Sequence, residues 1–220
     1  MTLIFGGSFN PPHLGHVEAV DGLLEAQNFF PIERVLILPS FGTPLKKVDV
    51  SFEQRLSMAK IAFEGNKNAD RITVSDFEAK EKTQFTWQVL EKLSARHASM
   101  AFVIGTDQFE KLDQWNRFPD VMGMSHWVVL LRKPKKISDF KTALRKFVEQ
   151  GWLQATSNEA EYKIKVGNQS RTLMFIETPA REMASTEVRA LLARGKNNEA
   201  KAVVSEKVFE YIERNHLYGT

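Results

Sequence analysis

Apolar residues form two patterns that alternate along the chain. Short, mainly apolar runs predict buried strands, because a strand covered on both faces has few polar positions. These runs are residues 2–5, 34–38, 71–77, 100–104, 126–131 and 172–177. Between them, apolar residues recur at helical spacing and predict amphipathic helices. The helices are expected at residues 17–28, in the segment after Ser51, and at residues 84–96, 138–150, 185–194 and 205–215.

The alternation of strands and helices predicts the fold class. Strands separated by amphipathic helices favour an α/β protein with a Rossmann-like, doubly wound, mainly parallel sheet and helices on both faces. The chain has 220 residues, and this length suits one domain. We therefore expect residues 1–220 to form a single domain, with the C-terminal helices, about residues 185–220, packed on it. Ligands of such sheets bind beyond the carboxyl ends of the strands.

Composition and charge narrow the choice of partners. The net charge is +3, from 30 basic and 27 acidic residues, and this small excess predicts no binding to nucleic acid. No apolar run approaches the roughly 18 residues of a membrane span, and no secretory signal precedes the first strand. We therefore expect a cytoplasmic protein without a membrane partner. The absence of cysteine excludes disulfides and thiolate metal sites.

The most informative stretch is GGSFNPPHLGH at residues 6–16, between the first predicted strand and the first helix. Gly6 and Gly7 allow a sharp turn and a close approach to a ligand. The following helix start offers free N–H groups and partial positive charge, which suit a phosphate. His13 and His16 can donate to phosphate oxygens, and Gly15 between them leaves room for a bulky ligand. The stretch matches neither the Walker A nor the GxGxxG pattern.

GGSFNPPHLGH resembles the GxFxPxHxGH signature of the HxGH nucleotidyltransferases, which transfer a nucleotidyl group to a phosphate ester. Further motifs are similar to those of bacterial nicotinate-nucleotide adenylyltransferases, over nearly the whole chain. They are LPSFGTPLKK, QFTWQVL, IGTD followed by Trp115, LLRKP, ETPAREMASTEVR and VFEYIERNHLY. The resemblance implies AMP transfer from ATP to nicotinate mononucleotide, giving deamido-NAD and pyrophosphate. Mg²⁺ is expected to accompany ATP, held by phosphates and water, without a protein metal site.

The resemblance also implies roles for individual residues. The catalytic set comprises His13, His16, Lys46 and Arg189. The expected ATP site comprises Gly6, Gly7, Ser8, Phe9, Gly15, His16, Gly105, Asp107, Ser185, Thr186 and Arg189. The expected site for nicotinate mononucleotide comprises Asn10, Lys46, Thr86, Trp87, Trp115 and Arg132.

Structural roles compete with several of these assignments. Asp107 could cap a helix instead of binding ribose, and Trp115 could be a core residue instead of stacking on the nicotinate ring. Thr86 could be only an N-cap, and Trp87 only core. The basic stretch that includes Arg132 is either a solvated loop or a collar for a phosphorylated small molecule. Lys46 could be simply a solvated lysine.

The chain departs from the family motifs at three positions. Asn10 stands where many relatives have aspartate, although other members of the superfamily also carry asparagine. Ala184 stands where the ISxTxxR pattern has its first serine, and Leu45 stands where the family often has histidine. The sequence therefore leaves other functions open. These are the same chemistry on nicotinamide mononucleotide or phosphopantetheine, and a non-catalytic nucleotide-binding protein. The sequence does not determine the oligomeric state.

Overall fold

The computed structural model describes residues 1–26, 31–42, 50–181 and 183–220. Within these residues, eight strands form one sheet. The strands are β1 Thr2–Gly7, β2 Arg34–Pro39, β3 Ile72–Val74, β4 Met100–Gly105, β5 His126–Arg132, β6 Leu153–Ala155, β7 Glu161–Ile164 and β8 Arg171–Thr178.

The strand order across the sheet is β3-β2-β1-β4-β5-β8-β7-β6. The six strands from β3 to β8 in this order pair in parallel, and β7 pairs antiparallel with both β8 and β6. The chain runs outward from β1 through β2 to β3 and then returns to place β4 on the other side of β1. Ligands of open α/β sheets bind at such a reversal, which here lies between the carboxyl ends of β1 and β4.

Helices connect the strands and cover both faces of the sheet. They are α1 Leu14–Glu25, α2 Phe52–Glu64, α3 Phe77–Glu81, α4 Thr86–Ser94, α5 Thr106–Phe109, α6 Lys141–Glu149, α7 Ser185–Ala193, α8 Asn197–Lys201 and α9 Glu206–Arg214. The α/β class with a mainly parallel, doubly wound sheet is thus confirmed.

The structure differs from the predicted elements at four places. The first helix begins at Leu14 rather than residue 17, because the histidine motif forms its first turn. The run at 71–77 is a strand only over Ile72–Val74, and α3 begins at Phe77. The short, largely polar strands β6 and β7 form a hairpin that the apolar pattern does not reveal. The helix expected at 84–96 ends at Ser94.

Two apolar clusters pack against the sheet, one on each face. A third cluster joins the C-terminal helices to α2. The third cluster contains Met58 of α2 together with Val188 of α7 and Phe209 of α9, all buried. In the part of the chain that the structure describes, no helix combines the length and the apolar character needed to cross a bilayer.

Candidate active site

The glycine- and histidine-containing loop leaves β1 and enters α1 at the sheet's reversal point. His13 is the N-cap of α1, with extended backbone, and His16 lies in the first turn. The two imidazole rings are stacked with their centroids 3.7 Å apart and 33° between their planes. The structure therefore brings together the two residues that the motif predicted to act as a pair.

A backbone hydrogen bond determines the tautomer of His16. The N–H of His13 donates to Nδ1 of His16 over 3.1 Å. Because Nδ1 accepts, the neutral ring carries its proton on Nε2. Burial, followed by the proximity of His13 and the charge of Arg132, holds the pKa of His16 well below its usual range. The site thus contains a neutral imidazole with one N–H available as a donor.

His13 is also a neutral imidazole at physiological pH. The pKa of His13 is lowered to about 4, mainly by burial. The positive charge of Arg132 also lowers this pKa, and its effect is larger than the opposing effect of the Glu18 charge. The residue is only 2% exposed. Its Nδ1 is buried without a hydrogen-bond partner among the described residues. Both histidines can therefore act as dipolar donors rather than as fixed cations.

The loop glycines are required by close packing. A Cβ on Gly6 would lie 3.2 Å from the ring of Phe102, and one on Gly7 would lie 3.2 Å from the ring of Phe9. A Cβ on Gly15 would lie 3.0 Å from the Arg181 carbonyl oxygen and 3.1 Å from His13 Nδ1. Close packing therefore favours glycine at position 15, in addition to the room for a ligand that the sequence analysis expected there.

The buried side chain of Phe9 packs against the ring of His16. The backbone of Phe9 has φ 46°, a left-handed conformation that is uncommon outside glycine. The side chain is 1% exposed and its ring centroid lies 5.0 Å from that of His16. Of the residues expected to bind ATP, Phe9 can therefore offer only its backbone, whereas Ser8 beside it is partly exposed.

Arg132, at the end of β5, places a cation near both histidines. Its charge contributes to the lowered pKa of each imidazole. Its Nη1 donates to the carbonyl oxygen of Met183 over 3.3 Å, which joins the end of β5 to the segment that leads into α7. Lys46 and Leu45, in contrast, lie outside the described residues.

The start of α7 packs directly against the histidine loop. The Ser185 hydroxyl donates to the Pro11 carbonyl oxygen over 2.9 Å. The Arg189 guanidinium donates from Nη1 to the Asn10 carbonyl oxygen over 2.7 Å and from Nη2 to the Thr186 hydroxyl over 3.1 Å. Ser185 and Arg189 thus hold the loop, and Thr186 holds the guanidinium.

Ala184, the residue that departs from the family motif, is the N-cap of α7 and makes no side-chain cap hydrogen bond. The Glu187 carboxylate accepts from the Ala184 N–H over 3.3 Å. One of the two hydrogen bonds of a capping box is therefore present, from the N-cap N–H to the Glu187 carboxylate. The other bond is missing, because alanine has no hydroxyl to accept from the helix backbone. The Ser185 hydroxyl does not replace it, because it is bonded to the histidine loop.

The carboxyl end of β4 presents Asp107 across the reversal point from the loop. Asp107 is exposed in the first turn of α5, whose N-cap is Gly105. A Cβ on Gly105 would lie 2.7 Å from Asp107 Oδ1, so a side chain there would displace the carboxylate. The N-cap is a glycine, and its N–H donates to Oε1 of Gln108 over 3.3 Å.

Tryptophans line the side of the site beyond β4. Trp115 is partly exposed, and its ring packs edge-on against Phe102 and Trp127, at 6.4 and 5.9 Å between centroids. Trp87 donates from its indole nitrogen to Asn116 Oδ1 over 2.9 Å. Thr86 is the first residue of α4, and the N-cap is Phe85. Thr86 therefore does not cap the helix, and both tryptophans combine core contacts with an exposed face.

Two further residues shape the site, and the sequence analysis missed them. Arg55 of α2 is 3% exposed and donates to the carbonyl oxygens of Ser8 and Ser40, each over 2.7 Å. It thereby ties together the ends of β1 and β2. Glu78 accepts from the Phe41 N–H over 3.1 Å. The detectable signal was a charged residue on the apolar face of a predicted amphipathic helix, at Arg55.

The described residues contain no group of three or more histidine, aspartate or glutamate side chains able to hold a metal ion. The donors at the site are mainly imidazole, guanidinium and backbone N–H groups, which suit an anion rather than a cation.

A parallel sheet whose reversal point carries a helix N-terminus, a neutral histidine pair and two guanidinium groups defines an α/β protein that binds nucleotide phosphates. The cytidylyltransferase-like family model matches residues 4–191.

The chain belongs to this family and, within it, to the group of nicotinate-nucleotide adenylyltransferases. A probable nicotinate-nucleotide adenylyltransferase of Caldicellulosiruptor saccharolyticus is 30% identical over 98% of this chain and 97% of its own length. One of Pseudomonas aeruginosa is 30% identical over 98% of this chain and 95% of its own length.

Solved structures agree with the fold. A Plasmodium falciparum nicotinic acid mononucleotide adenylyltransferase complexed with NaAD has a TM-score of 0.76 at 18% identity, over 99% of this chain and 96% of that chain. A crystal structure from Vibrio parahaemolyticus, described as a 'putative nicotinate-nucleotide adenylyltransferase', has a TM-score of 0.60 at 20% identity, over 99% of this chain and 94% of that chain.

Proposed function

We propose that this protein transfers AMP from ATP to nicotinate mononucleotide, producing deamido-NAD and pyrophosphate, as a step of NAD biosynthesis. The observation that carries the proposal is the stacked His13–His16 pair, 3.7 Å between centroids, at the N-terminus of α1. The similarity to nicotinate-nucleotide adenylyltransferases along the whole chain supports the choice of acceptor. Residues 1–220 act as a single nucleotidyltransferase domain.

The reaction is a direct in-line displacement. An oxygen of the mononucleotide phosphate forms a bond to the α-phosphorus of ATP, and the bond from that phosphorus to the bridging oxygen of the β-phosphate breaks. The electron pair of the broken bond leaves with pyrophosphate. The attacking phosphate is already an anion, so no general base is needed, and catalysis comes from positioning and charge stabilisation.

The histidines stabilise the charge that develops on the α-phosphoryl group. The Nε2–H of His16 is the donor that its backbone-bonded Nδ1 leaves available. His13, stacked on it, is likewise neutral at pH 7 because burial lowers its pKa to about 4. Fixed dipoles in a water-poor site require no reorganisation during the reaction. Arg132, Arg189 and Lys46 supply the positive charge for the phosphates.

The ATP side of the site uses the loop, the end of β4 and the start of α7. Gly6, Gly7, Ser8, Phe9 and Gly15 offer backbone to the phosphates, and Asp107 beside Gly105 accepts from the ribose hydroxyls. Ser185, Thr186 and Arg189 border the triphosphate. Mg²⁺ enters with ATP as part of the substrate, held by phosphate oxygens and water.

The acceptor side uses aromatic residues and helix α4. The exposed face of the Trp115 indole stacks on the electron-poor nicotinate ring. The N–H groups of Thr86 and Trp87, in the first turn of α4, receive the nicotinate carboxylate. Asn10 and Arg132 hold the mononucleotide phosphate.

The protein acts on small molecules in the cytoplasm, without nucleic acid or membrane partners. A net charge of +3 over 220 residues supports this proposal, because it leaves little long-range attraction for nucleic acid.

One assay separates this function from its alternatives. The protein is mixed with ATP and Mg²⁺, each of three acceptors is offered separately, and pyrophosphate is measured. We expect release with nicotinate mononucleotide, and at least tenfold less with nicotinamide mononucleotide or phosphopantetheine. Preference for another acceptor would reassign the substrate. No release with any of them would indicate a nucleotide-binding protein without this activity.

A further inference from the structure

Several residues of the C-terminal part of the chain form hydrogen bonds with the histidine loop, between Asn10 and Leu14. In addition to the bonds from Ser185 and Arg189, the Leu14 N–H at the start of α1 donates to the Val203 carbonyl oxygen over 2.9 Å. The last contact comes from the end of the chain. The Tyr218 hydroxyl donates to Oδ1 of Asn10 over 2.6 Å, across 208 positions of sequence.

The chain reaches this contact through an unusual turn. His216 and Tyr218 both have left-handed backbone conformations, with φ of 50° and 62°, and neither is glycine. Such conformations persist only where the surrounding structure enforces them. Thr220 closes the turn, because its hydroxyl donates to the Leu217 carbonyl oxygen over 3.0 Å. The backbone is thus bent so that the Tyr218 side chain points back to the loop.

The surroundings keep the Tyr218 hydroxyl a donor. Burial raises the pKa of this hydroxyl, and this effect exceeds the opposing influence of the Arg189 and Arg55 charges. The phenol therefore retains its proton throughout the physiological range.

Asn10, which receives this bond, is held at two acceptor atoms. Its backbone oxygen accepts from Arg189 and its side-chain oxygen accepts from Tyr218. The residue is only 7% exposed. An amide has one oxygen and one NH₂ group on opposite sides, so engaging the oxygen determines where the NH₂ points. That group makes no hydrogen bond within the described part of the chain.

We infer that Tyr218 is a positioning residue that turns the Asn10 amide so that its NH₂ donates to the phosphate of the acceptor. This inference rests on the proposed function for the identity of the acceptor. Tyr218 itself touches no substrate, and its effect passes through Asn10. The C-terminus of the chain is therefore part of the phosphate site, although the motif lies at the N-terminus.

Tyr218→Phe tests the inference, because it removes one hydroxyl and keeps the ring. We expect the KM for nicotinate mononucleotide to rise about fivefold, the KM for ATP to stay within twofold, and the melting temperature to change little. The fivefold figure corresponds to loss of one ordinary hydrogen bond. Tyr211→Phe is the matched control: it is the same change on α9, where the hydroxyl makes no hydrogen bond to the loop among the described residues, and we expect it to leave both constants unchanged.

A double-mutant cycle shows whether the effect passes through Asn10. In an Asn10→Ala background, Tyr218→Phe is expected to change the mononucleotide KM by less than twofold. A fivefold loss in that background as well, or equal rises in the two KM values, would overturn the inference.

A measurement on the ligand-free protein separates this inference from the proposed function. The two proton resonances of the Asn10 NH₂ group are followed by nuclear magnetic resonance. We expect them to shift in Tyr218→Phe and to stay in place in Tyr211→Phe. Unchanged resonances in Tyr218→Phe refute the positioning role whichever acceptor the wild-type protein uses. Failure of wild-type protein to bind nicotinate mononucleotide refutes only the proposed function.

Discussion

At the scale of single residues, the chemistry depends on two imidazoles that are neutral for different reasons. His16 has its Nδ1 occupied by a backbone N–H at 3.1 Å, and His13 is kept neutral mainly by burial. A histidine that donates from a fixed tautomer need not change charge during the reaction. It therefore imposes no pH dependence of its own near neutrality.

The first prediction concerns this donor. His16→Ala is expected to lower kcat by about 100- to 1000-fold, the usual effect of removing one donor to a developing negative charge. The fold is retained, as checked by circular dichroism, and His97→Ala serves as a control distant from the loop. In the wild-type protein, ¹⁵N shifts of His16 are expected to show a proton on Nε2 between pH 6 and 8. A rate within tenfold of wild type would contradict the role.

Glu78 supplies the second prediction. Burial raises its pKa from 4.5 to about 7, against the opposing effects of the Phe41 N–H and the Arg55 charge. The folded protein therefore binds this proton more tightly than the unfolded chain. The Glu78 contribution to stability is complete below pH 4.5 and is lost as the pH rises through 7.

Glu78→Gln keeps an acceptor for the Phe41 N–H but cannot ionise. The difference in unfolding free energy between variant and wild type is expected to grow by about 2–3 kcal/mol from acidic to alkaline pH, in favour of the variant. Urea unfolding at about pH 5 and pH 8 measures it. The histidines titrate in both proteins, so their contribution cancels in the difference. A constant difference would mean that Glu78 ionises normally in the fold.

At the scale of elements, helix starts organise the site. The N-terminus of α1 carries the histidines, and that of α7 holds the loop through Ser185. The N-cap of α7 is Ala184, whose extended backbone (φ −113°, ψ 140°) is suitable for a capping serine. The departure from the family motif is thus a lost helix cap, whatever it also means for phosphate binding.

Ala184→Ser is therefore expected to stabilise the protein. A serine N-cap contributes about 1 kcal/mol relative to alanine, which corresponds to roughly 2–4 °C in melting temperature for a chain of this size. Ser205→Ala, which removes the cap that accepts from the Val208 N–H at 3.4 Å, is expected to produce the opposite change. The KM for ATP stays within twofold in Ala184→Ser. A large fall in that KM would instead favour a phosphate-binding hydroxyl at this position.

The sequence predicted the elements whose signals are local. The six strands of the parallel part are confirmed, and local signals also mark the helix ends. Ser51 and Gln54 form a capping box at the start of α2, and the left-handed Gly151 (φ 73°) follows α6. The β6–β7 hairpin was missed because its strands have 3 and 4 residues and are largely polar. The site roles of the motif residues stay predictions.

Other parts of the site depend on contacts that no local pattern encodes. Arg55 meets Ser8 across 47 positions and Tyr218 meets Asn10 across 208. A capping box or a strand can be found from neighbouring residues, whereas such pairings depend on the topology of the whole sheet and on the C-terminal helices.

At the scale of the whole molecule, side chains from distant segments hold the strand ends at the site together. Arg55 from α2 bridges the ends of β1 and β2 through the carbonyl oxygens of Ser8 and Ser40, at 2.7 Å each. The Cζ atom of Arg55 also lies over the Phe52 ring, 5.7 Å from the ring centroid. The planar guanidinium reaches both oxygens at once, which a single ammonium group on a flexible stem does less well.

Arg55→Lys therefore tests whether geometry, rather than charge, holds the ends of β1 and β2 together. The charge is retained, yet we expect a loss of about 1–3 kcal/mol in unfolding free energy, because at least one charged, partly buried hydrogen bond to a carbonyl oxygen is lost. Arg194→Lys, the same change at an exposed position after α7, is expected to cost less than about 0.5 kcal/mol. Urea denaturation of both variants measures the difference. Equal stabilities would show that the positive charge alone suffices, and that the ends of β1 and β2 are held by their other contacts, including the Ser40 N–H bond to the Gly7 oxygen at 2.9 Å.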